Sequence, residues 1–444
     1  MTEGTVDFHT DPALKNTRTI ILNTGDPEEK RDEIRRYFHA TYVIDEALLQ
    51  TLKYHETFYR RADPLRHPLI FYSGHTAVFY INKLIVAKII DRRINPAFES
   101  MFAVGVDEMS WDDLDMSHYD WPGVEEVQAY RNEVRELVDD VIRTLPLSLP
   151  ITWDTPFWAI MMGIEHARIH LETSSVLIRH LPVGELRDHP LWSVCPAAGE
   201  PPENTLIDVP GGHVALGKSK DNPLYGWDNE FGRHEADIAA FRASRTLVSN
   251  RQFLEFIEDG GYREHRWWTD EGWAWRSYEN ATQPRFWVRD NGSYRLRLTL
   301  REVEMPWDWP VEVNYLEAKA FTNWLAARLD EPVRLPTEDE WYLLRDRHAP
   351  RDQPEWETAP GNINLEHYTS PCPVTEFAFG DFHDIIGNVW QWTETPISGF
   401  RGFEIHPYYD DFSTPTFDAR HTVIKGGSWI STGNEAIRDT RYAF

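Results

Sequence analysis

The amino-acid sequence predicts an α+β protein in which an N-terminal four-helix bundle precedes a domain with little regular secondary structure. Helical periodicity runs as far as Leu181, a stretch rich in proline and glycine follows, and tryptophan and glycine then become dense. With 444 residues, the chain is long enough for more than one domain. We expect the bundle over residues 1–182, a linker over 183–206 and the second domain over 207–444.

The predicted helices follow from apolar residues that recur at three- and four-residue steps. A threonine followed by proline is typical of a helix start, and this pair opens the fourth helix. The bundle helices are expected at 27–61, at about 76–91, at about 124–145 and from Thr155-Pro156 to about Leu181. In the second domain the best predicted helix is Tyr315–Leu329.

Composition excludes several function classes. The formal net charge of −27 repels phosphate backbones and anionic lipids, so we expect neither a nucleic-acid nor a membrane partner. The most apolar stretch is too short for a membrane span of about 20 residues. Two distant cysteines and a start without a charged-then-apolar leader favour a soluble protein of the reducing cytoplasm. The oligomeric state stays open.

A candidate metal site is indicated by His166 and His170, which lie four residues apart and therefore on one face of the fourth helix. His75, expected near the start of the second helix, can complete a triad. Glu172 should point away from the ion, since it lies about 200° around the helix from His170. Three neutral imidazoles leave coordination positions open to a thiolate. Spacing alone does not choose between zinc and iron.

Six ordered strings in the second half resemble the formylglycine-generating or sulfatase-modifying-factor enzymes. They are VPGGHVALG, YGWDNE, LVSNRQFLEFIEDGGY, RLPTEDEW, GNVWQWTET and KGGSW. The resemblance implies a C-type-lectin-like fold for residues 207–444. Those enzymes carry a redox cysteine pair just after the last string, whereas this chain has Ile430, Ser431 and Thr432 there. Formylglycine formation is therefore not expected.

The N-terminal half, with His75 and the string EHARIHLETSSVLIR, resembles a DinB-like four-helix bundle. A DinB-like bundle followed by a formylglycine-generating-like domain is the layout of the non-haem iron sulfoxide synthases of ergothioneine and ovothiol biosynthesis. SGHTAVFYINKL and HPYYDDFSTPTFD look most similar to the ovothiol branch. The resemblance implies an Fe(2+)- and O2-dependent oxidoreductase that joins L-cysteine to C5 of L-histidine. Ovothiol enzymes commonly continue into a methyltransferase domain, whereas this sequence stops at RYAF. We therefore expect a truncated C-terminal end, no methyltransferase domain and no methyl transfer.

The resemblance also implies roles for individual residues. His75, His166 and His170 are the expected iron ligands, and Tyr409 in HPYYDDF is the expected catalytic proton donor, with Tyr408 as its rival. Tyr408 and Ile169 are expected substrate contacts. Two amino-acid substrates also need charged or polar anchors, and the loop after the glycine pair of KGGSW, which should approach the iron, offers Trp429, Asn434 and Arg438. Ile169 stands where hercynine-using relatives commonly have glutamine. We hypothesise that losing the glutamine hydrogen bond lets the imidazole present C5 rather than C2 to sulfur.

Three alternatives stay open at this point. The first is a hercynine-using or selenium-handling synthase of the same family. The second is a zinc- or nickel-dependent thiol transferase of the DinB type, which would depend on metal without consuming oxygen. The third is a binding module in which the histidines only stabilise the bundle.

Overall fold

A computed structural model describes residues 17–103 and 119–444. The N-terminal part is a bundle of four long helices together with one short helix. The helices are α1 (Pro27–Leu49), α2 (Leu69–Val86), α3 (Pro96–Met101), α4 (Val124–Thr144) and α5 (Phe157–His180). Helix α2 packs against both α4 and α5, and α1 packs against the same two helices. The predicted four-helix bundle is confirmed.

The boundaries of three predicted helices need correction. α1 begins at the predicted Pro27, where the Asp26 carboxylate caps the free amides of Glu28 and Glu29, but it ends at Leu49 rather than near Arg61. At the start of α5 the N-cap is Pro156, while the Thr155 hydroxyl bonds back to Thr152.

The third correction concerns α2, which begins seven residues before the predicted Thr76, so that His75 lies well inside the helix. Ser73-Gly74 looked like a helix start in the sequence. A Cβ at Gly74 would lie 2.5 Å from the ring of Phe102, so glycine is required here by a close approach and not by a turn.

Helices α2 and α5 approach each other closely at a second glycine. A Cβ at Gly163 of α5 would lie 2.4 Å from the ring of Tyr80 on α2. The missing side chain lets the aromatic ring lie directly on the α5 backbone. This contact brings side chains of the two helices within reach of a common point, and the candidate site is formed there.

Helix α2 is the one helix in the described part of the chain that is long and apolar enough to cross a membrane, and 78% of its apolar window is buried inside the fold. Its apolar surface is covered by α4 and α5. We therefore interpret α2 as the central helix of the bundle core.

The second domain combines four helices with small antiparallel sheets. Its helices are α6 (Asn250–Glu258), α7 (Asp270–Tyr278), α8 (Tyr315–Leu329) and α9 (Glu338–His348). The two-stranded pairs are β1 (Leu206–Val209) with β4 (Phe241–Ser244), β2 (Gly212–Leu216) with β3 (His234–Ile238), and β8 (Ala378–Phe379) with β9 (Phe382–His383). The three-stranded sheets are β5 (Trp287–Asp290), β6 (Ser293–Arg297) and β7 (Glu302–Glu304), and β10 (Gln391–Pro396), β11 (Thr422–Lys425) and β12 (Tyr442–Ala443). The predicted helix Tyr315–Leu329 is confirmed, and so is the α+β class.

The two parts of the chain share one hydrophobic core. Tyr225, Trp227 and Trp429 of the second domain belong to the same buried cluster as the bundle helices. Polar contacts reinforce the interface: the guanidinium of Arg179, near the end of α5, donates to both carboxylate oxygens of Glu312 at 2.6 and 2.7 Å. The exact domain boundaries stay a prediction, but the candidate site lies against a continuous interface.

Candidate active site

Three histidines from two helices of the bundle converge on one point. His75 comes from α2, and His166 and His170 come from adjacent turns of α5. One ring nitrogen from each lies within 4.8 Å of the others, and the Nε2 atoms of His166 and His170 are 3.1 Å apart. All three side chains are buried. The predicted triad therefore exists as a geometric cluster.

Neighbouring groups fix the orientation of the imidazoles. His75 donates through Nδ1 to the carbonyl oxygen of Phe102 at 2.6 Å, which leaves its Nε2 lone pair for the cluster. That Nε2 atom is buried and has no hydrogen-bond partner among the described residues. The His166 ring stacks on Phe79 with ring centroids 3.5 Å apart and planes inclined by 6°.

Burial keeps the three imidazoles neutral. Desolvation lowers the pKa of His75 to about 4 and the pKa values of His166 and His170 well below their usual range. Neutral imidazole is the form that binds a metal ion. Three buried nitrogen donors, one of them an orphaned atom, fit a divalent transition metal such as iron or zinc.

Glu172 is not part of the histidine cluster, in agreement with its predicted position around α5. Its carboxylate accepts hydrogen bonds from Trp390 Nε1 at 2.7 Å and from the hydroxyls of Ser428 and Ser431, each at 2.8 Å. All three donors belong to the second domain. The carboxylate therefore fastens the loop after β11 to the helix that carries two of the three histidines.

The tyrosine pair reaches the site from the second domain. The Tyr409 ring lies 6.3 Å from the ring of His166 and 5.2 Å from that of Phe79. The Tyr408 ring instead packs 5.0 Å from His406. Tyr409 is thus the member of the pair whose ring contacts the histidine cluster.

Two narrow cavities lie in this region of the molecule. One is lined by Tyr409 together with Trp158, Tyr225, Trp227 and His406. The other lies between α1, α5 and the second domain and is lined by Leu48, Ser175, Leu300 and Trp429 among others. Both lie at the interface between the bundle and the second domain.

Comparison with known proteins agrees with this architecture. Residues 193–444 match the family described as Sulfatase-modifying factor enzyme 1-like domain, and residues 38–174 match the DinB superfamily. The hercynine oxygenase of Mycolicibacterium smegmatis is 31% identical over 396 residues, which cover 84% of this chain and 86% of that protein. The chain belongs to the hercynine oxygenase family.

Two further relatives extend the comparison. The hercynine oxygenase of Mycolicibacterium thermoresistibile is 31% identical over 83% of this chain and 82% of that protein. Ergothioneine biosynthesis protein 1 of Schizosaccharomyces pombe is 23% identical over 83% of this chain and 48% of that protein. As a member of the hercynine oxygenase family, this chain is an oxygen-dependent oxidoreductase, which confirms the predicted enzyme class.

Three further predicted substrate contacts, Ile169, Asn434 and Arg438, lie in three different environments. Ile169 is half-buried and packs against the bundle core one residue before His170. The Asn434 side chain is fully buried and donates through Nδ2 to Glu230 at 2.6 Å. The guanidinium of Arg438 binds Asp346 and Asp439. The Asn434 amide nitrogen and the Arg438 guanidinium are thus already bound to protein carboxylates, whereas the buried Asn434 Oδ1 has no hydrogen-bond partner among the described residues.

Sequence reasoning missed two residues that contact the site. Phe79 lies four residues after His75 and Lys83 four residues after Phe79, so the three follow one face of α2. Their four-residue spacing was visible in the sequence, but the predicted helix began at Thr76 and so left His75 outside it. Their contact partners, His166 for Phe79 and Tyr409 for both, lie in distant parts of the chain.

Proposed function

We propose that the chain is an Fe(II)- and O2-dependent sulfoxide synthase that joins the sulfur of cysteine to a ring carbon of an imidazole amino acid. The observation that carries this proposal is the buried cluster of three neutral imidazoles with the Tyr409 ring 6.3 Å from His166. A redox reaction with O2 favours iron over zinc, which has no redox chemistry. The names of the relatives, hercynine oxygenase and ergothioneine biosynthesis protein, support the same reaction class.

The proposed reaction balances as follows. One thiol S–H bond and one ring C–H bond break, and one C–S bond and one S=O bond form. O2 accepts four electrons: one of its oxygen atoms enters the sulfoxide, and the other leaves as water with the two hydrogens.

The residues of the chain would position these reactants. His75, His166 and His170 would hold the ferrous ion, which when bound supplies the redox chemistry that O2 requires. The Tyr409 phenol would hold and transfer a proton next to His166. Trp429, which is buried in the core shared by the two parts of the chain, and Ile169, next to His170 in sequence, remain proposed substrate contacts. Glu172 would keep the Trp429 loop seated, since it accepts from Ser428 and Ser431 on either side.

Tyr408, Asn434 and Arg438 remain proposed substrate contacts with less support. Tyr408 packs on His406. The Asn434 amide nitrogen would have to release Glu230, and the Arg438 guanidinium would have to release Asp346 and Asp439, before these donors could bind a substrate. We therefore assign no step to these three residues. We keep the cytoplasm as the proposed compartment, because both cysteines are buried free thiols.

The acceptor that the relatives support better is hercynine, because two of them bear the name hercynine oxygenase. The predicted coupling of L-histidine through C5 therefore becomes the second candidate. Ile169 favours this second candidate. Its aliphatic side chain, next to His170 in sequence, cannot form a hydrogen bond with the imidazole of the substrate. A selenium-handling synthase of the same family stays a further alternative.

The test is to load the protein anaerobically with Fe(II) and to measure O2 uptake with cysteine plus either hercynine or histidine. We expect uptake that requires the metal and both substrates. The product mass should equal the sum of the two substrates plus one oxygen atom minus two hydrogen atoms. Metal-dependent thiol chemistry without O2 uptake would instead indicate a zinc or nickel transferase, and ligand binding that survives metal removal would indicate a binding module.

Replacing Ile169 by glutamine tests the second candidate. If the aliphatic side chain directs the reaction to C5, the Ile169→Gln variant should shift product toward the C2 isomer, because glutamine can hold the imidazole by a hydrogen bond. NMR spectroscopy of the product distinguishes the two isomers. An unchanged isomer ratio in a variant that keeps its O2 uptake would contradict the assignment.

A further inference from the structure

A row of three side chains on α2 connects the histidine cluster to the tyrosine loop. His75, Phe79 and Lys83 follow each other at four-residue steps and so share one helix face. Phe79 stacks on His166, and Lys83 extends past it toward the second domain. The Lys83 Nζ atom lies 4.9 Å from the centroid of the Phe79 ring and 3.9 Å from that of Tyr409.

We propose that Lys83 is a positioning residue that holds the Tyr409 ring against Phe79 and His166. An ammonium group over an aromatic face is attracted by the negative face of the π system, and the attraction strengthens when both groups leave water. Lys83 is half-buried. Its charge therefore acts on the tyrosine ring through a medium of lower polarity than water.

The environment of Lys83 supports a cation that stays in place. Burial lowers its pKa to about 8, while the carboxylates of Asp411 and Asp410 oppose this effect. At neutral pH the side chain is therefore mostly an ammonium ion. Because the two aspartates directly follow Tyr409 in sequence, they draw the same cation toward the tyrosine loop.

The segment 406–412 that carries Tyr409 contains neither helix nor strand. In the segment 406–412, the Tyr409 amide donates to the His406 carbonyl at 3.0 Å, and the Tyr408 amide donates to His406 Nδ1 at 3.1 Å. Both bonds are local to the segment. His406 Nε2 also donates to the carbonyl oxygen of Trp153, just before α5, at 3.3 Å. Lys83 adds a contact between Tyr409 and α2, the helix that carries His75.

This inference rests on the proposed function, in which Tyr409 donates the proton that directs oxidation toward C–S coupling. If the ring moves away, cysteine and O2 should instead give more of the sulfinic acid, since both oxygen atoms can add to sulfur without any change at the acceptor. The ratio of coupled sulfoxide to cysteine sulfinic acid is thus sensitive to the position of Tyr409. Metal content measures only whether the histidine cluster is occupied.

The experiment compares Lys83→Met, which keeps the length of the side chain and removes its charge, with Lys83→Arg, which restores a cation. Lys53→Met is the matched control, because Lys53 also lies over a tyrosine ring, at 5.1 Å from Tyr54, but on the exposed surface of the bundle. Two quantities are measured on the full chain. They are the product ratio after Fe(II) loading and the hydrogen exchange of the amides in the 406–412 segment before loading.

We expect Lys83→Met to lower the product ratio about tenfold, which corresponds to about 1.4 kcal/mol, and to speed exchange in the segment. Lys83→Arg should recover both, and Lys53→Met should change neither. If the native chain makes coupled product and Lys83→Met leaves ratio and exchange unchanged, the role of Lys83 is refuted while the proposed function stands. If exchange speeds up in Lys83→Met but the native chain forms no coupled product, the positioning role is supported and the proposed function fails.

Discussion

Replacing His170 by alanine is expected to remove stoichiometric metal binding. The cluster has three nitrogen donors within 4.8 Å of one another, so losing one leaves two donors for an ion that needs at least three from the protein. Removing a group that merely orients a ligand costs about 10- to 100-fold in metal affinity, and losing a ligand itself should exceed that range. Metal content after anaerobic Fe(II) loading and gel filtration measures the effect.

His180 provides a matched control on the same helix. It lies near the end of α5, where its ring packs 5.1 Å from Phe286 rather than against the cluster. We expect His180→Ala to bind one metal ion per chain like the native protein. Full metal occupancy in a folded His170→Ala variant would show that the three imidazoles do not form the metal site, and the proposed reaction would then lose its centre.

The histidine cluster was predictable because part of it is local. His166 and His170 share a helix face whatever the rest of the chain does, and a four-residue step needs no tertiary information. His75 lies on a second helix, and its place in the triad depends on how the two helices pack. The sequence indicated that helix, but its start was predicted seven residues too far along the chain. Gly74 was interpreted as part of a helix start, whereas it is required by the close approach of the Phe102 ring from a different segment.

Contacts between the two halves of the chain were beyond sequence reasoning. The direction of Glu172 followed from helix geometry, yet its partners Trp390, Ser428 and Ser431 lie more than 200 residues away. Arg438 illustrates the converse. Its place after the glycine pair indicated a substrate contact, and only the folded chain shows that Asp346 and Asp439 bind its guanidinium.

The choice between Tyr408 and Tyr409 could not be made from local pattern either. Neighbouring residues in an irregular loop point in different directions, and no periodicity states which one faces a given helix. The structure places the Tyr409 ring near Phe79 and His166 and the Tyr408 ring near His406. The role of the Tyr409 hydroxyl can therefore be tested by removing it, with the adjacent Tyr408 hydroxyl as the reference.

Replacing Tyr409 by phenylalanine is expected to lower the ratio of coupled sulfoxide to cysteine sulfinic acid by about 100-fold or more, the usual contribution of a positioned proton donor. The ring should keep its contacts with Phe79, Trp227 and the Lys83 ammonium, so the change removes the O–H group with little effect on packing. Product masses under saturating O2 measure the ratio, and metal content confirms that the site is intact.

Tyr408→Phe separates the role of this hydroxyl from general damage to the loop. Because the Tyr408 ring packs on His406 and not on the cluster, we expect its variant to keep the native product ratio. An equal fall in both variants would mean that loop order, and not the Tyr409 proton, controls the outcome. An unchanged ratio in Tyr409→Phe would exclude Tyr409 as the donor, and the proton would then have to come from another group at the interface, with the small cavity beside Trp227 and His406 as the place to search.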